Sequence, residues 1–161
     1  LSQRPTIADA AAQEFEVAVP AGAQRLDVTI GNPSDLSADL DLTVYNAAGE
    51  LVGQDADGDS EESVSIASPA PGTYTVVVDG YSVPAGNTEY DYLDVFFSSA
   101  LGTLAVPGTA ITLSGGQSAT VTGTLTAAAP AAAGRQLFGE MTVVTPAGAV
   151  LGTGSVLVSA P

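Results

Sequence analysis

At Asp39-Leu-Asp-Leu-Thr-Val-Tyr45, DLDLTVY, polar and apolar side chains alternate one by one. A period of two puts Leu40, Leu42 and Val44 on one side of an extended chain and Asp39, Asp41 and Thr43 on the other. A helix, with 3.6 residues per turn, would scatter the same residues around its axis. One apolar face and one polar face describe a half-buried antiparallel strand. The pattern recurs on both sides. Upstream, Glu14–Val19 places Phe15, Val17 and Val19 together, Pro20-Ala-Gly22 turns the chain, and Arg25–Ile30 aligns Leu26, Val28 and Ile30. Downstream, Asn46-Ala-Ala-Gly49 reads as a hairpin turn into Glu50–Gly53. Ser63–Ile66, Thr73–Val78 and Tyr90–Phe97 follow, separated by Pro- and Gly-bearing turns, with 79–87 expected as loop. No segment carries a helical period. Seven or so short strands at this spacing predict an all-β protein, an antiparallel jelly-roll-type β-sandwich.

The charge divides the chain. Seventeen of the 18 acidic residues and two of the three arginines lie in residues 1–100, which carry the whole net charge of −15. In residues 101–161 Glu140 and Arg135 cancel. The step predicts two modules, 1–100 and 101–161, meeting near Ser98–Gly102. The second module offers alternation at Leu104–Val106, Thr109–Leu113, Ala119–Leu125, Gln136–Val144 and Ala149–Val158, enough for a small immunoglobulin-like β-sandwich with one face in need of cover. Ala127–Gly134 is a loop between two of these strands rather than a linker. The opening LSQRPTIADAAAQEF lacks a basic end followed by an apolar core, so it is expected to be the start of a fragment or processed product and not a signal peptide.

Composition removes whole classes of chemistry. The chain has no Cys, His or Lys. Ser-His-Asp and Cys-His catalysis, Ser-Lys catalysis and His-ligated zinc are therefore closed to it. Paired carboxylates can hydrolyse glycosides, but such clefts carry aromatic platforms and this chain has no Trp. The chain is expected not to be an enzyme. Its negative charge repels phosphate backbones and anionic lipid, which argues against nucleic acid and membrane as partners. An acidic surface without lysine suits a secreted, extracellular protein. Tyr74, Tyr81, Tyr90 and Tyr92 offer a stacking surface for a ligand, although tyrosines on strands more often belong to the core.

The acidic residues are the remaining candidates for a site. Asp39 and Asp41 project from the same face of one strand, where like charges repel unless a cation lies between them. Asp79, at the end of the Thr73–Val78 strand, joins them if the two strands are neighbours. These three form the expected calcium site, since Ca²⁺ collects six to eight oxygens from separate segments. The stretch Gln54-Asp-Ala-Asp-Gly-Asp-Ser-Glu-Glu62 is a second candidate through Asp55, Asp57 and Asp59. It fails as an EF-hand, because a start at Asp55 puts Ser60 at the glycine position and Ile66 at the bidentate glutamate. The preferred reading of it is a solvated hairpin connection whose like charges protect a sheet edge.

Together, D-L-D-L, the Tyr-Asn-x-x-Gly turn, P-x-P-G-T-Y and V-x-V-D-G-Y, in this order within ADLDLTVYNAAGELVGQDADGDSEESVSIASPAPGTYTVVVDGY, resemble the bacterial pre-peptidase C-terminal domain. The resemblance covers roughly residues 12–97, and residues 101–161 resemble the fibronectin- or immunoglobulin-like tail that follows this module in secreted subtilisin-like serine proteases. It implies a calcium-associated jelly roll with Asp39 and Asp41 at metal-associated positions. It further implies a non-catalytic accessory region whose partners are the protease catalytic domain and protein substrate, serving stability, secretion or substrate binding. The alternative from another class is a structural or adhesive module of a bacterial cell-surface protein.

Overall fold

The computed structural model of the protein describes residues 1–158. The strands are β1 (Ser2–Gln3), β2 (Thr6–Ala8), β3 (Ala12–Val19), β4 (Ala23–Gly31), β5 (Asp39–Tyr45), β6 (Leu51–Asp55), β7 (Ser63–Ala67), β8 (Gly72–Ser82), β9 (Asn87–Glu89), β10 (Asp91–Ser98), β11 (Gly102–Ala105), β12 (Thr124–Ala127), β13 (Leu137–Val144) and β14 (Val150–Val158). No helix occurs among the described residues. Two compact units divide the chain, Leu1–Ser98 and the remainder from Ser99.

In the first unit, two four-stranded sheets run in the orders β1-β10-β4-β7 and β3-β8-β5-β6, and β2 pairs with β9. Every pairing is antiparallel. The chain passes repeatedly from one sheet to the other, as a jelly-roll sandwich requires. The alternating apolar residues meet between the sheets. Val17 from β3, Leu26 and Val28 from β4, Leu40, Leu42 and Val44 from β5, and Val76 and Val78 from β8 are wholly buried in one cluster. Each such side chain contributes roughly 1.5–3 kcal/mol relative to exposure. Phe15 stacks on Tyr92, with ring centroids 3.9 Å apart. Three of the four tyrosines considered as a stacking surface, Tyr74, Tyr90 and Tyr92, belong to this core, and Tyr81 alone is exposed. That corrects the ligand-stacking reading: strand tyrosines here fill the sandwich.

The β5–β6 turn follows the sequence closely. Asn46 Oδ1 accepts hydrogen bonds from the amides of Ala48 and Glu50, and Gly49 takes the left-handed φ of 78° that closes the turn. The expected loop at 79–87 is different, since β8 continues to Ser82. Gly80 does not turn the chain. Its amide donates to Ala11 O and its carbonyl accepts from Ala10 N, both at 2.8 Å, so two backbones lie in close approach. A Cβ on Gly80 would meet the Ala8 carbonyl oxygen at 2.6 Å, and backbone cannot swing aside. Gly80→Ala is therefore expected to destabilise the unit by about 1–3 kcal/mol, read as a lower urea midpoint at unchanged slope.

The second unit contains two hairpin-like pairs, β11 with β12 and β13 with β14. Gly139 packs under Leu104 and Leu125, which brings the two pairs together. Of the strands expected here, Thr109–Leu113 does not form, and Ala119–Leu125 is replaced by the later β12. Ile111 and Leu113 are exposed. Alternation alone makes no strand unless another layer covers its apolar face.

Candidate functional site

Acidic side chains gather at one end of the first sandwich, in two groups. The first is the expected one. Antiparallel pairing of β5 with β8 sets Asp41 directly opposite Asp79, and Asp39 precedes it on the same strand beside an irregularity in the register. Leu40, Leu42 and Val44 point into the core, so Asp39 and Asp41 share the outer face as their spacing requires. Partial burial, and then the charges of Asp39 and Asp79, raise the pKa of Asp41. Asp39 Oδ1 is buried without a hydrogen-bond partner. The structure thus assembles Asp39, Asp41 and Asp79 on neighbouring strands.

The second group lies in residues 56–62, between β6 and β7. Here Asp57 Oδ1 accepts the Asp59 amide at 3.1 Å and Asp59 Oδ1 accepts the Glu61 amide at 2.7 Å. Asp55 Oδ2 accepts the Ser63 amide at 3.0 Å. The loop is pinned to the sheets at three points. Ser60 Oγ donates to Ala38 O, Leu40 N donates to Asp59 O, and Ile30 N donates to Glu62 O. Glu61 leaves the group, its Oε1 accepting the Asn32 amide at 2.7 Å. Among the described residues, Asp57, Asp59 and Glu62 are the one set of three acidic groups whose ligand oxygens all lie within 4.8 Å of one another.

Glu62 was not among the residues singled out from sequence. It is 1% exposed, and neither carboxylate oxygen has a hydrogen-bond partner. Burial, followed by contact with the Asp55 carboxyl and the charges of Asp55, Asp57 and Asp59, pushes its pKa up to about 7. The reading of this stretch as a solvated hairpin connection is corrected accordingly: it crosses between the two sheets, and Ser60 and Glu62 are buried while their neighbours are exposed. A signal for this was present, because Glu62 continues the inward face of Val64 and Ile66 back by one period of two.

Residues 14–80 match the bacterial pre-peptidase C-terminal domain family. They form a pre-peptidase C-terminal domain. Both acidic groups lie inside this pre-peptidase C-terminal domain, as do strands β4 to β7 and most of β3 and β8. The chain is also 37% identical over 114 residues to pyrolysin of Pyrococcus furiosus, across 68% of this chain and 8% of pyrolysin. It thus spans only a small part of that relative's length. Among solved structures it is similar to Aeromonas hydrophila PliG, a periplasmic lysozyme inhibitor of g-type lysozyme. That likeness has 18% identity and a TM-score of 0.46, and it covers 60% of this chain and 85% of the other.

Proposed function

We propose that this chain is a non-catalytic accessory region of a secreted, extracellular subtilisin-like serine protease, acting beside its catalytic domain. The observation that carries this reading is the pre-peptidase C-terminal domain at 14–80 within a chain 37% identical to a segment of pyrolysin. Two features of the chain support it. The acidic groups of the first unit suit ion binding or solubility. In the second unit Val143, Val150, Leu151 and Leu157 are exposed on a two-stranded pair, apolar surface that a protease or its protein substrate would bury. An accessory region of this kind works by mass action. Holding substrate near a catalytic domain raises its effective concentration without new chemistry.

The test compares the full protease with a form lacking these 161 residues. Secreted yield, half-life at elevated temperature and turnover of insoluble protein are measured, with a short soluble peptide as control. Deletion is expected to lower at least one of the first three while peptide turnover per folded molecule is preserved. Equal yield, half-life and insoluble-substrate turnover in the two forms overturn the reading. Retention of the isolated chain on bacterial cell wall, with those three quantities equal, would favour an adhesive module instead.

A further inference from the structure

We propose that Asp57, Asp59 and Glu62 form a calcium site in the β6–β7 loop, with Glu62 as its buried ligand. The inference is independent of the protease reading, since it concerns only this loop. Three carboxylates with oxygens within 4.8 Å of one another repel strongly unless a positive charge joins them. The surface cluster alone would mean little. Glu62 is the second observation: a carboxylate 1% exposed, aimed into the cluster, with both oxygens lacking a donor. An ionised carboxylate in that position requires a counter-charge.

The chain has few counter-charges to offer. It contains no Lys or His. Arg4 is engaged with Asp91 and Glu89, and Arg25 with Asp27. A bound cation fits the donor set better. All three ligands are hard carboxylate oxygens, which select Ca²⁺ or Mg²⁺ over metals preferring nitrogen or sulfur. Calcium–oxygen distances of 2.3–2.6 Å put oxygens on opposite sides of the ion about 4.6–5.2 Å apart, against roughly 4.2 Å around Mg²⁺. The three oxygens lie within 4.8 Å of one another, close enough for one ion to bridge them. Ca²⁺, which accepts irregular shells of six to eight oxygens, is less demanding of this loop than Mg²⁺, which needs a near-ideal octahedron. The backbone bonds to Asp57 Oδ1 and Asp59 Oδ1 fix both carboxylates and leave each Oδ2 available, while Asp55 adds a neighbouring negative charge. Water completes the shell.

Thermal melts of the 161-residue chain test this, with chelator, with excess CaCl2 and with MgCl2, using wild type, Glu62→Gln, Asp57→Asn with Asp59→Asn, and Asp39→Asn with Asp41→Asn. Calcium at a hundredfold over its dissociation constant is expected to raise the wild-type melt by several degrees, and magnesium less. Glu62→Gln and the Asp57/Asp59 double variant are expected to lose the rise, and the Asp39/Asp41 variant to keep it. In chelator, Glu62→Gln should melt at or above wild type, which also shows that it folds. A wild-type melt unmoved by millimolar calcium overturns the proposal. So does a rise that survives both loop variants, or one lost only with Asp39 and Asp41, which would place the ion on β5 and β8. Asp57 and Asp59 are exposed, so their double variant decides the matter if Glu62→Gln does not fold.

Discussion

Leu42→Ala is expected to lower the melting temperature of the first unit by roughly 12–24 °C. Leu42 is wholly buried on β5, an inner strand flanked by β6 and β8, where its Cα partners are Asp55 and Val78. Truncation removes the transfer energy of the lost methyl groups and leaves a cavity, together about 3 kcal/mol for a site that cannot collapse. Two hydrogen-bonded strands hold the backbone of β5 in place, so little collapse is available. For a unit of this size each kcal/mol is worth roughly 4–8 °C. Leu36→Ala supplies the contrast. Leu36 is 89% exposed, and its loss is expected to change stability by less than about 0.5 kcal/mol. Similar shifts for the two variants, measured by calorimetry, would mean that the sandwich core does not lie where the alternation of β5 puts it.

That alternation is also why the first sandwich was legible in sequence. Along β3, β4, β5 and β8 every second residue is apolar and every one of those faces is covered, so local pattern and tertiary packing agree. Agreement fails where packing and local chemistry diverge. Gly80 looks like turn punctuation, yet it sits in a strand that needs a missing Cβ for close backbone approach. Ile111 and Leu113 carry the right alternation with no layer to cover them. The acidic residues divide in the same way. Asp39 and Asp41 could be grouped from strand spacing alone, because period two fixes a face, whereas Asp79 joins them only if its strand is a neighbour, a condition that the β5–β8 pairing meets. Glu62 escaped because a glutamate in an acid-rich stretch reads as solvated. Its burial comes from the anchors Ser60–Ala38, Leu40–Asp59 and Ile30–Glu62, all of them contacts between segments distant in sequence.

With chelator present, the first unit is expected to lose stability as pH rises from 4.5 to about 7, opposite to the usual acid lability of proteins. The Glu62 carboxyl has a pKa of about 7 in the fold against 4.5 as its ordinary value. Between these values the folded chain holds a proton that the unfolded chain has released, so the fold binds more protons and its stability falls with rising pH. The contribution is complete below 4.5 and is lost as pH passes through about 7. It amounts to on the order of 3 kcal/mol in full, most of it between pH 5 and pH 8, which makes the melting temperature roughly 10–20 °C higher at pH 5 than at pH 8. The groups that face Glu62, namely Asp55, Asp57 and Asp59, are all acidic and act in this direction. Asp41, raised by burial and by Asp39 and Asp79, adds to the same slope at its lower end. Asp91 opposes it, its pKa lowered by hydrogen bonds from Asn32 and Arg4, but on an exposed side chain and at more acid pH. Glu62→Gln removes the titrating group and should flatten the profile between pH 5 and 8. An unchanged slope in that variant would assign the effect to the general self-repulsion of a chain with net charge −15. A cation and a proton compete for the same carboxylate, so saturating calcium should oppose the decline by favouring ionised Glu62.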